Sequence, residues 1–453
     1  MANDILEGNP RCGAPYQPIP ADGLVNAVEG TLAEFLAGQV AALDTVDPAL
    51  GLFARTTRDL VLAGGKRLRP TFAHWGWRGV VGSREPADPV LPALAALELM
   101  HTFALVHDDV MDGSATRRGR PTAHRLFAAQ HDSDGRLGDA DHFGETSAIL
   151  VGDLCLVWAD QLLAQAALTT STHFAVRARY DRMRVEAVAG QYLDVLGEAQ
   201  PDEWNLDRAL LVARHKTASY TVQRPLQFGL ALAGPSETDL AAIDDAYNRY
   251  GIAVGEAFQL CDDLLGVYGD PAVTGKPAGD DLRTGKPTAL LMLARQLATP
   301  AQRAELATDP AGAVIPADGS GGPTFQWASR DSDATRTVAT VSGRRNGKRG
   351  SGPANGHGAI GGRGGIDGHG RVNGHGGGVN GHGPQHGHDH ALTDEVVARQ
   401  AQIIIETGAV ARVEAMIRQR VDDAVAALRE APICHEARAA LTELAVTATH
   451  RPA

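Results

Sequence analysis

Apolar residues recur at spacings of three and four through most of the chain, in residues 24–43, 91–106, 148–167, 177–196, 206–232, 239–265 and 288–297. That period marks a helix with one face kept out of water. The alternation and hairpin turns that half-buried strands need are nearly absent. The helical pattern resumes at 393–406 and 410–428, with Thr393 placed to cap the first of these and Asp394 and Glu395 in its first turn. Several segments are apolar around much of their circumference, which suits central helices of a large bundle better than a thin coiled coil. The pattern predicts an all-α fold.

The pattern fails in one place. Residues 311–391 hold 23 of the 52 glycines, seven of the 17 histidines and no leucine. Such a segment buries too little apolar surface to offset the entropy of ordering it. The expectation is a Gly/His-rich disordered insertion inside a single helical domain spanning 21–450, preceded by a disordered tail at 1–20. NGHG recurs in the insertion, which ends in HGHDH. Clustered imidazoles can capture Ni²⁺ or Zn²⁺, and the plainer reading is a low-complexity loop that the fold tolerates.

The insertion carries eight Lys or Arg against five Asp, so the remaining residues, with 34 basic and 49 acidic side chains, carry a net −15. That acidity argues against a general nucleic-acid binder, which needs a basic surface. No run reaches 18 uninterrupted apolar residues, so no membrane span is expected, and the first residues lack a basic segment followed by an apolar one. Cys12, Cys155, Cys261 and Cys434 are far apart and form no CxxC pair, which points away from a disulfide framework or a zinc ribbon. A cytoplasmic protein is expected.

The sharpest chemical signal is HDDVMD. Asp108 and Asp112 stand one helical turn apart on one face, with Asp109 rotated by roughly 100°. Like charges that close repel unless a cation compensates them, and oxygen-only ligands favour Mg²⁺. An acidic, solvated helix end is the bland alternative. A second pair, Asp262 and Asp263, closes another apolar helix. No GxxxxGK[ST] or GxGxxG sequence occurs in a strand-turn-helix setting, so a diphosphate would be held by metal and fixed cations. Such cations cluster in GGKRLRP at residues 64–70, in TRRGRP at 116–121, and at Lys276 and Lys286 in two GKP tripeptides. Arg presents a fork to phosphate oxygens and Lys a mobile point charge.

GGKRLRP, HDDVMD followed by TRRG, GQYLD at 190–194, HKTA at 215–218, FQLCDD, and GDPAVTGKPAGDDLRTGKPT, in this order, resemble the signature series of the trans-type polyprenyl diphosphate synthases. The resemblance runs from about residue 21 to 428 and is strongest to bacterial enzymes that make geranylgeranyl diphosphate. It implies a single large antiparallel helical bundle around a deep central cavity, usually a homodimer. It also implies that Asp108, Asp112 and Asp262 bind Mg²⁺ bridging an allylic diphosphate (dimethylallyl, geranyl or farnesyl), with Arg117, Lys216 and Lys276 on that diphosphate and Lys286 closing the site. Lys66, Arg69, His101 and Arg118 would hold isopentenyl diphosphate. Thr217, Gln259 and the Lys216 carbonyl would line the region of the allylic cation, with Gln191 and Asp194 in support. Phe103 and Ala104, an aromatic with a small neighbour just before the acidic motif, resemble the enzymes that stop at twenty carbons. The second acidic motif departs from the family's DDxxD, since Gly266 stands at its last position and leaves Asp270 or Asp281 as possible replacements. A terpene cyclase would not need GGKRLRP; farnesyl or longer-chain synthases and a non-catalytic subunit remain the alternatives.

Overall fold

The computed structural model describes residues 21–82, 87–234, 240–271, 278–307 and 393–449. Its helices are α1 (Ala21–Asp44), α2 (Pro48–Val61), α3 (Leu68–Val81), α4 (Leu91–Met111), α5 (Ala123–Ser133), α6 (Ala140–Leu163), α7 (Thr170–Ala199), α8 (Leu206–Val212), α9 (Arg224–Leu232), α10 (Leu240–Tyr268), α11 (Asp280–Arg283), α12 (Ala289–Leu297), α13 (Pro300–Leu306), α14 (Asp394–Glu406), α15 (Ala409–Arg429) and α16 (His435–Thr449). One hairpin, β1 (Thr116–Arg117) with β2 (Arg120–Pro121), is the only sheet among the described residues. The all-α expectation holds. The expected tail at 1–20 and insertion at 311–391 lie outside the described residues.

Local chemistry starts the helices where it should. Asp47 accepts the amide of Ala49 ahead of Pro48, Asn205 accepts that of Arg208, and Thr299 and Gln302 form a reciprocal capping box before α13. Thr393 caps α14 as expected, accepting the amide of Val396. Sequence periodicity passes over α3, whose LRPTFAHWGWRGVV mixes Gly, Pro and polar residues on every side. It is nonetheless buried along most of its length, between α9 and the C-terminal α16.

The central helix is α4. Its residues from Ala93 to Met100 are all buried, so it packs on every side rather than along one stripe. It lies chiefly against α6, and also against α1 and α3. Both α4 with its short lead-in (Asp88–Met111) and α6 are long and apolar enough to cross a membrane, with mean hydropathies of 1.6 and 1.4. Polar interruptions such as Glu98 and His101 hide this from a search for unbroken apolar runs. Here the two helices pack side by side, with 61% and 50% of those windows buried.

Between α8 and α9 the helix continues without a break through a π-helical stretch, Ala213–Gln223. Such widened turns are rare and concentrate at functional sites. Glycines on both flanking helices let it sit backbone to backbone. A Cβ at Gly190 of α7 would fall 2.4 Å from the Lys216 amide nitrogen, and at Gly255 of α10 only 2.3 Å from the Ala218 Cα. Buried Glu256 of α10 then pairs with Arg214 at 2.5 Å and Arg420 of α15 at 2.8 Å. Glu186 of α7 accepts from Ser219 and Arg224. These pairs clamp the π stretch between α7 and α10.

Helices from both sides of residues 308–392 belong to one compact unit. The Tyr268 hydroxyl donates to the Ala401 carbonyl at 2.8 Å, and that of Tyr250 to the Leu441 carbonyl at 2.6 Å. Buried Leu290, Ile403 and Ile404 share one apolar cluster, and Phe72, Tyr247 and Leu441 another.

Candidate active site

Helix α4 runs on to Met111, so Asp108 and Asp109 lie within its last turn and Asp112 is the C-cap. Asp109 turns inward and holds Arg117, whose Nε donates to it at 2.7 Å. Asp108 faces the site. Its carboxylate receives Lys216 Nζ at 2.9 Å, Gln191 Nε2 at 2.9 Å and Arg117 Nη2 at 3.3 Å. Lys216 also reaches Asp194 at 2.5 Å, and Lys286 stands 3.3 Å from the same carboxylate. Side chains from HDDVMD, TRRG, GQYLD, HKTA and the second GKP thus meet on two carboxylates.

The charges in this cluster tune one another. Burial raises the pKa of Asp108, but Lys216 and Lys286 outweigh it and bring the group down to about 2. Burial and then the neighbouring Asp108 push Asp112 above its ordinary range. Burial and Lys286 work against the charge on Lys216; Asp108, Asp194 and Asp112 prevail and hold it protonated. Lys286 is likewise held protonated against burial by Asp194, Asp112, Asp281 and Asp108, which puts it between the two acidic regions.

In the second motif Asp262 is half-buried and Asp263 fully buried. Asp263 accepts from Gln259 Nε2 at 2.9 Å and from the Ala289 amide at 3.0 Å, so Gln259 is bound to a carboxylate at the helix end. Burial raises the pKa of Asp263 to about 7. The folded chain therefore retains a proton that the unfolded chain releases between about pH 4 and pH 7, and stability falls as pH rises through that window. Asp263→Asn is expected to raise the melting temperature of the metal-free protein at pH 8, by removing a cost on the order of a few kcal/mol, and to leave it near wild type at pH 4. Calorimetry at the two pH values checks this; an equal shift at both would contradict it.

The gap at Gly266 is filled from elsewhere in the chain. A Cβ at Gly266 would fall 2.0 Å from Asp281 Oδ2, so the α11 carboxylate occupies the space a side chain at 266 would take. Of the two candidate replacements, Asp281 is the one set against Gly266.

No three ligating side chains form a closed metal cage among the described residues. Mg²⁺ usually takes only one or two carboxylates and completes its shell with water and substrate phosphate. The oxygen-only donors, and an Asp112 held above its ordinary range by burial and by Asp108, fit such an open site.

On the basic side, the β1–β2 turn puts Arg118 and Gly119 both at positive φ, 53° and 72°, the geometry of a tight hairpin turn. Arg118 thereby reaches back to donate to the Gly64 carbonyl, and its guanidinium covers Gly65, where a Cβ would come within 2.9 Å of it. The two basic motifs are physically joined. Arg67 points away from the site, donating at 2.7 Å to Glu98 of α4, with both side chains at most 4% exposed. Arg69 donates to Thr221 at 2.8 Å and lies 3.9 Å over the Tyr220 ring, while its buried Nε has no partner. The Tyr220 hydroxyl lies 2.5 Å from His101 Nδ1. Burial, then Arg69, Arg118, Arg117 and Arg67, hold His101 well below its usual pKa and hence neutral. An unpartnered guanidinium nitrogen among so many cations is what an anion would complete.

Most expected site residues are thus brought together. Lys276 lies outside the described residues, and Thr217 sits half-buried on the π stretch. Phe103 and Ala104 are half-buried on α4, one turn or slightly more before Asp108. Sequence reasoning missed Tyr220, Thr221 and the Arg67–Glu98 pair. For the pair a signal existed, since a lone glutamate within LPALAALELMHTFALV needs a buried partner.

A family model described as polyprenyl synthetase matches residues 51–309. The chain is 38% identical over 228 residues to a geranylgeranyl diphosphate synthase of Mycobacterium tuberculosis, covering 50% of this chain and 57% of that one. It is 34% identical over 240 residues to a geranylfarnesyl diphosphate synthase of Aeropyrum pernix, covering 52% and 68%. It therefore spans little more than half the length of the first of these. Among solved structures it is similar to a geranylgeranyl pyrophosphate synthase from Corynebacterium glutamicum, complexed with isoprenyl diphosphate and magnesium. That match has a TM-score of 0.73 and 33% identity, covering 95% of this chain and 99% of the other. On the family match and the carboxylate and cation cluster that its motifs build, the chain belongs to the polyprenyl synthetase family of prenyltransferases.

Proposed function

We propose that this chain joins isopentenyl diphosphate to an allylic diphosphate and releases mainly geranylgeranyl diphosphate. The observation that carries the reading is the meeting of four motifs on Asp108, beside a separate group of cations gathered around neutral His101. Two anionic substrates need two such places. A cyclase, with one diphosphate, has no use for the second.

When bound, Mg²⁺ held by Asp108, Asp112 and Asp262 would neutralise charge on the allylic diphosphate as its C–O bond breaks. Arg117, Lys216 and Lys286 hold the departing oxygens, and the protonated state of both lysines makes them fixed positive charges. Lys66, Arg69, His101 and Arg118 orient isopentenyl diphosphate so that its double bond faces the allylic carbon. Thr217 and Gln259 border the developing cation. The proton lost after bond formation passes to the released diphosphate. Lys276 belongs to the same clamp by its motif alone.

A homodimer in the cytoplasm completes the reading. Outward-facing Ile149, Leu150 and Val157 on α6 and Val185, Val188 and Tyr192 on α7 support the dimer, because exposed apolar side chains concentrated on two adjacent helices suit a covered surface. Cys155, Cys261 and Cys434 are buried thiols, as a reducing compartment allows.

Product length is assigned to Phe103 and Ala104. Ala104 leaves the path below Asp108 open, and a second ring there closes it. Ala104→Phe is expected to shift the main product from twenty carbons to fifteen, and Phe103→Ala to lengthen it. The test is chromatography of dephosphorylated products from the purified chain with Mg²⁺, isopentenyl diphosphate and each allylic starter. A wild-type product that is mainly fifteen carbons, or longer than twenty, sinks the length assignment; no product from any starter sinks the synthase reading in favour of a non-catalytic subunit.

A further inference from the structure

The length assignment leaves open what fixes the Phe103 ring. Phe103 and His107 are four residues apart on α4, so they share a face. Their rings meet edge to face, with centroids 4.9 Å apart and planes at 69°. His107 is in turn fixed by α6. Its Nε2 lies 2.9 Å from the Ile149 carbonyl, and because a carbonyl can only accept, Nε2 carries the proton. Asp153 stands 3.9 Å away, beyond hydrogen-bond reach.

The closest approach is to Gly152. A Cβ there would fall 2.1 Å from His107 Nε2 and 2.2 Å from Cδ2, so the ring occupies the space of the missing side chain. Gly152 is buried in the middle of α6, where glycine costs about 0.5–1 kcal/mol relative to alanine. A glycine in such a place signals close approach of a neighbour, and here the neighbour is a ring that touches Phe103.

We propose that His107, seated in the notch at Gly152, is a positioning residue for product length: it holds the Phe103 ring across the path of the growing chain. The proposal rests on the reading that Phe103 limits elongation. His107 acts through Phe103 and need not touch the product itself.

Product chromatography on single and double variants tests it. His107→Ala should raise the ratio of products longer than twenty carbons to the twenty-carbon product roughly two- to twelvefold, the weight of one aromatic pair. The double variant Phe103→Ala with His107→Ala should match Phe103→Ala alone. Gly152→Ala, which expels the ring, should lengthen products in the wild-type background and add nothing to His107→Ala. His107→Phe, which keeps a ring over Gly152, should retain wild-type length. If circular dichroism shows that His107→Ala is not folded, His107→Gln, which keeps a donor for the Ile149 carbonyl but no ring, takes its place. A lengthening by Phe103→Ala without one by the His107 variant overturns the proposal and leaves the Phe103 reading standing. Additive lengthening in the double variant overturns it as well. Unchanged products from Phe103→Ala overturn both.

Discussion

Replacing Asp108 by asparagine is expected to lower the rate of prenyl transfer by about 10²–10³-fold, the scale seen when one preorganised electrostatic contact to the reacting group is lost. The change keeps the shape of the side chain and removes its charge. Lys216, Gln191 and Arg117 all converge on this carboxylate, so its loss also releases the cations aimed at the allylic diphosphate. The repulsion between Asp108 and Asp112 suggests that neutralising one of them should be free of cost to the fold. The ion pairs argue otherwise. With a pKa near 2, the Asp108 charge contributes stability that is present above about pH 4 and lost as pH falls through 2. Asp108→Asn should therefore cost about 1–2 kcal/mol at pH 7, partly offset by relief of Asp112, and little near pH 2. Steady-state kinetics at saturating Mg²⁺ and melting curves at both pH values measure this. A turnover within tenfold of wild type would remove Asp108 from the proposed metal site.

Much of this site was legible in the sequence because its chemistry is carried by short motifs on long helices. The spacing of Asp108 and Asp112 fixes their shared face, and the structure keeps it. The illegible part lies in contacts between motifs. The widened turn from Ala213 to Gln223 brings Lys216, Tyr220 and Thr221 to the site, yet its sequence, ARHKTASYTVQ, reads as ordinary helix. Its cause is outside itself, in the bare backbones at Gly190 and Gly255 and in the pairs made by Glu256 and Glu186. Gly266 is a similar case. Spacing along the chain left Asp270 and Asp281 equivalent as replacements, and only the packing of α11 against α10 separates them. Arg67, to which the motif resemblance gives no substrate role, is the converse case. It stands among substrate-binding cations in GGKRLRP and serves the fold, because a left-handed backbone at φ 47° swings its side chain inward.

That inward arginine leads to the largest stability effect expected. Glu98→Ala should destabilise the protein by about 3–5 kcal/mol, because it removes the only buried counter-ion that the described residues give the Arg67 guanidinium and leaves it the half-exposed Glu29 alone. Arg67 keeps only the Val61 carbonyl at 3.2 Å and the half-exposed Glu29 at 3.3 Å. The second Glu98 oxygen has no hydrogen-bond partner, so the 2.7 Å contact to Arg67 carries the buried pair. Arg67 is also the residue that caps the start of α3, two residues after Gly65, which Arg118 covers, and between Lys66 and Arg69. Releasing it should loosen the loop that presents those cations, raising KM for isopentenyl diphosphate more than for the allylic substrate. A paired replacement separates the two effects. Arg67→Met with Glu98→Met removes both charges and fills the space, which should restore stability to within about 1–2 kcal/mol of wild type, since buried ion pairs exchange for apolar pairs at little cost. Denaturant unfolding of the three proteins decides the matter. If Glu98→Ala proves no less stable than the double methionine variant, then the pair is not what anchors the loop.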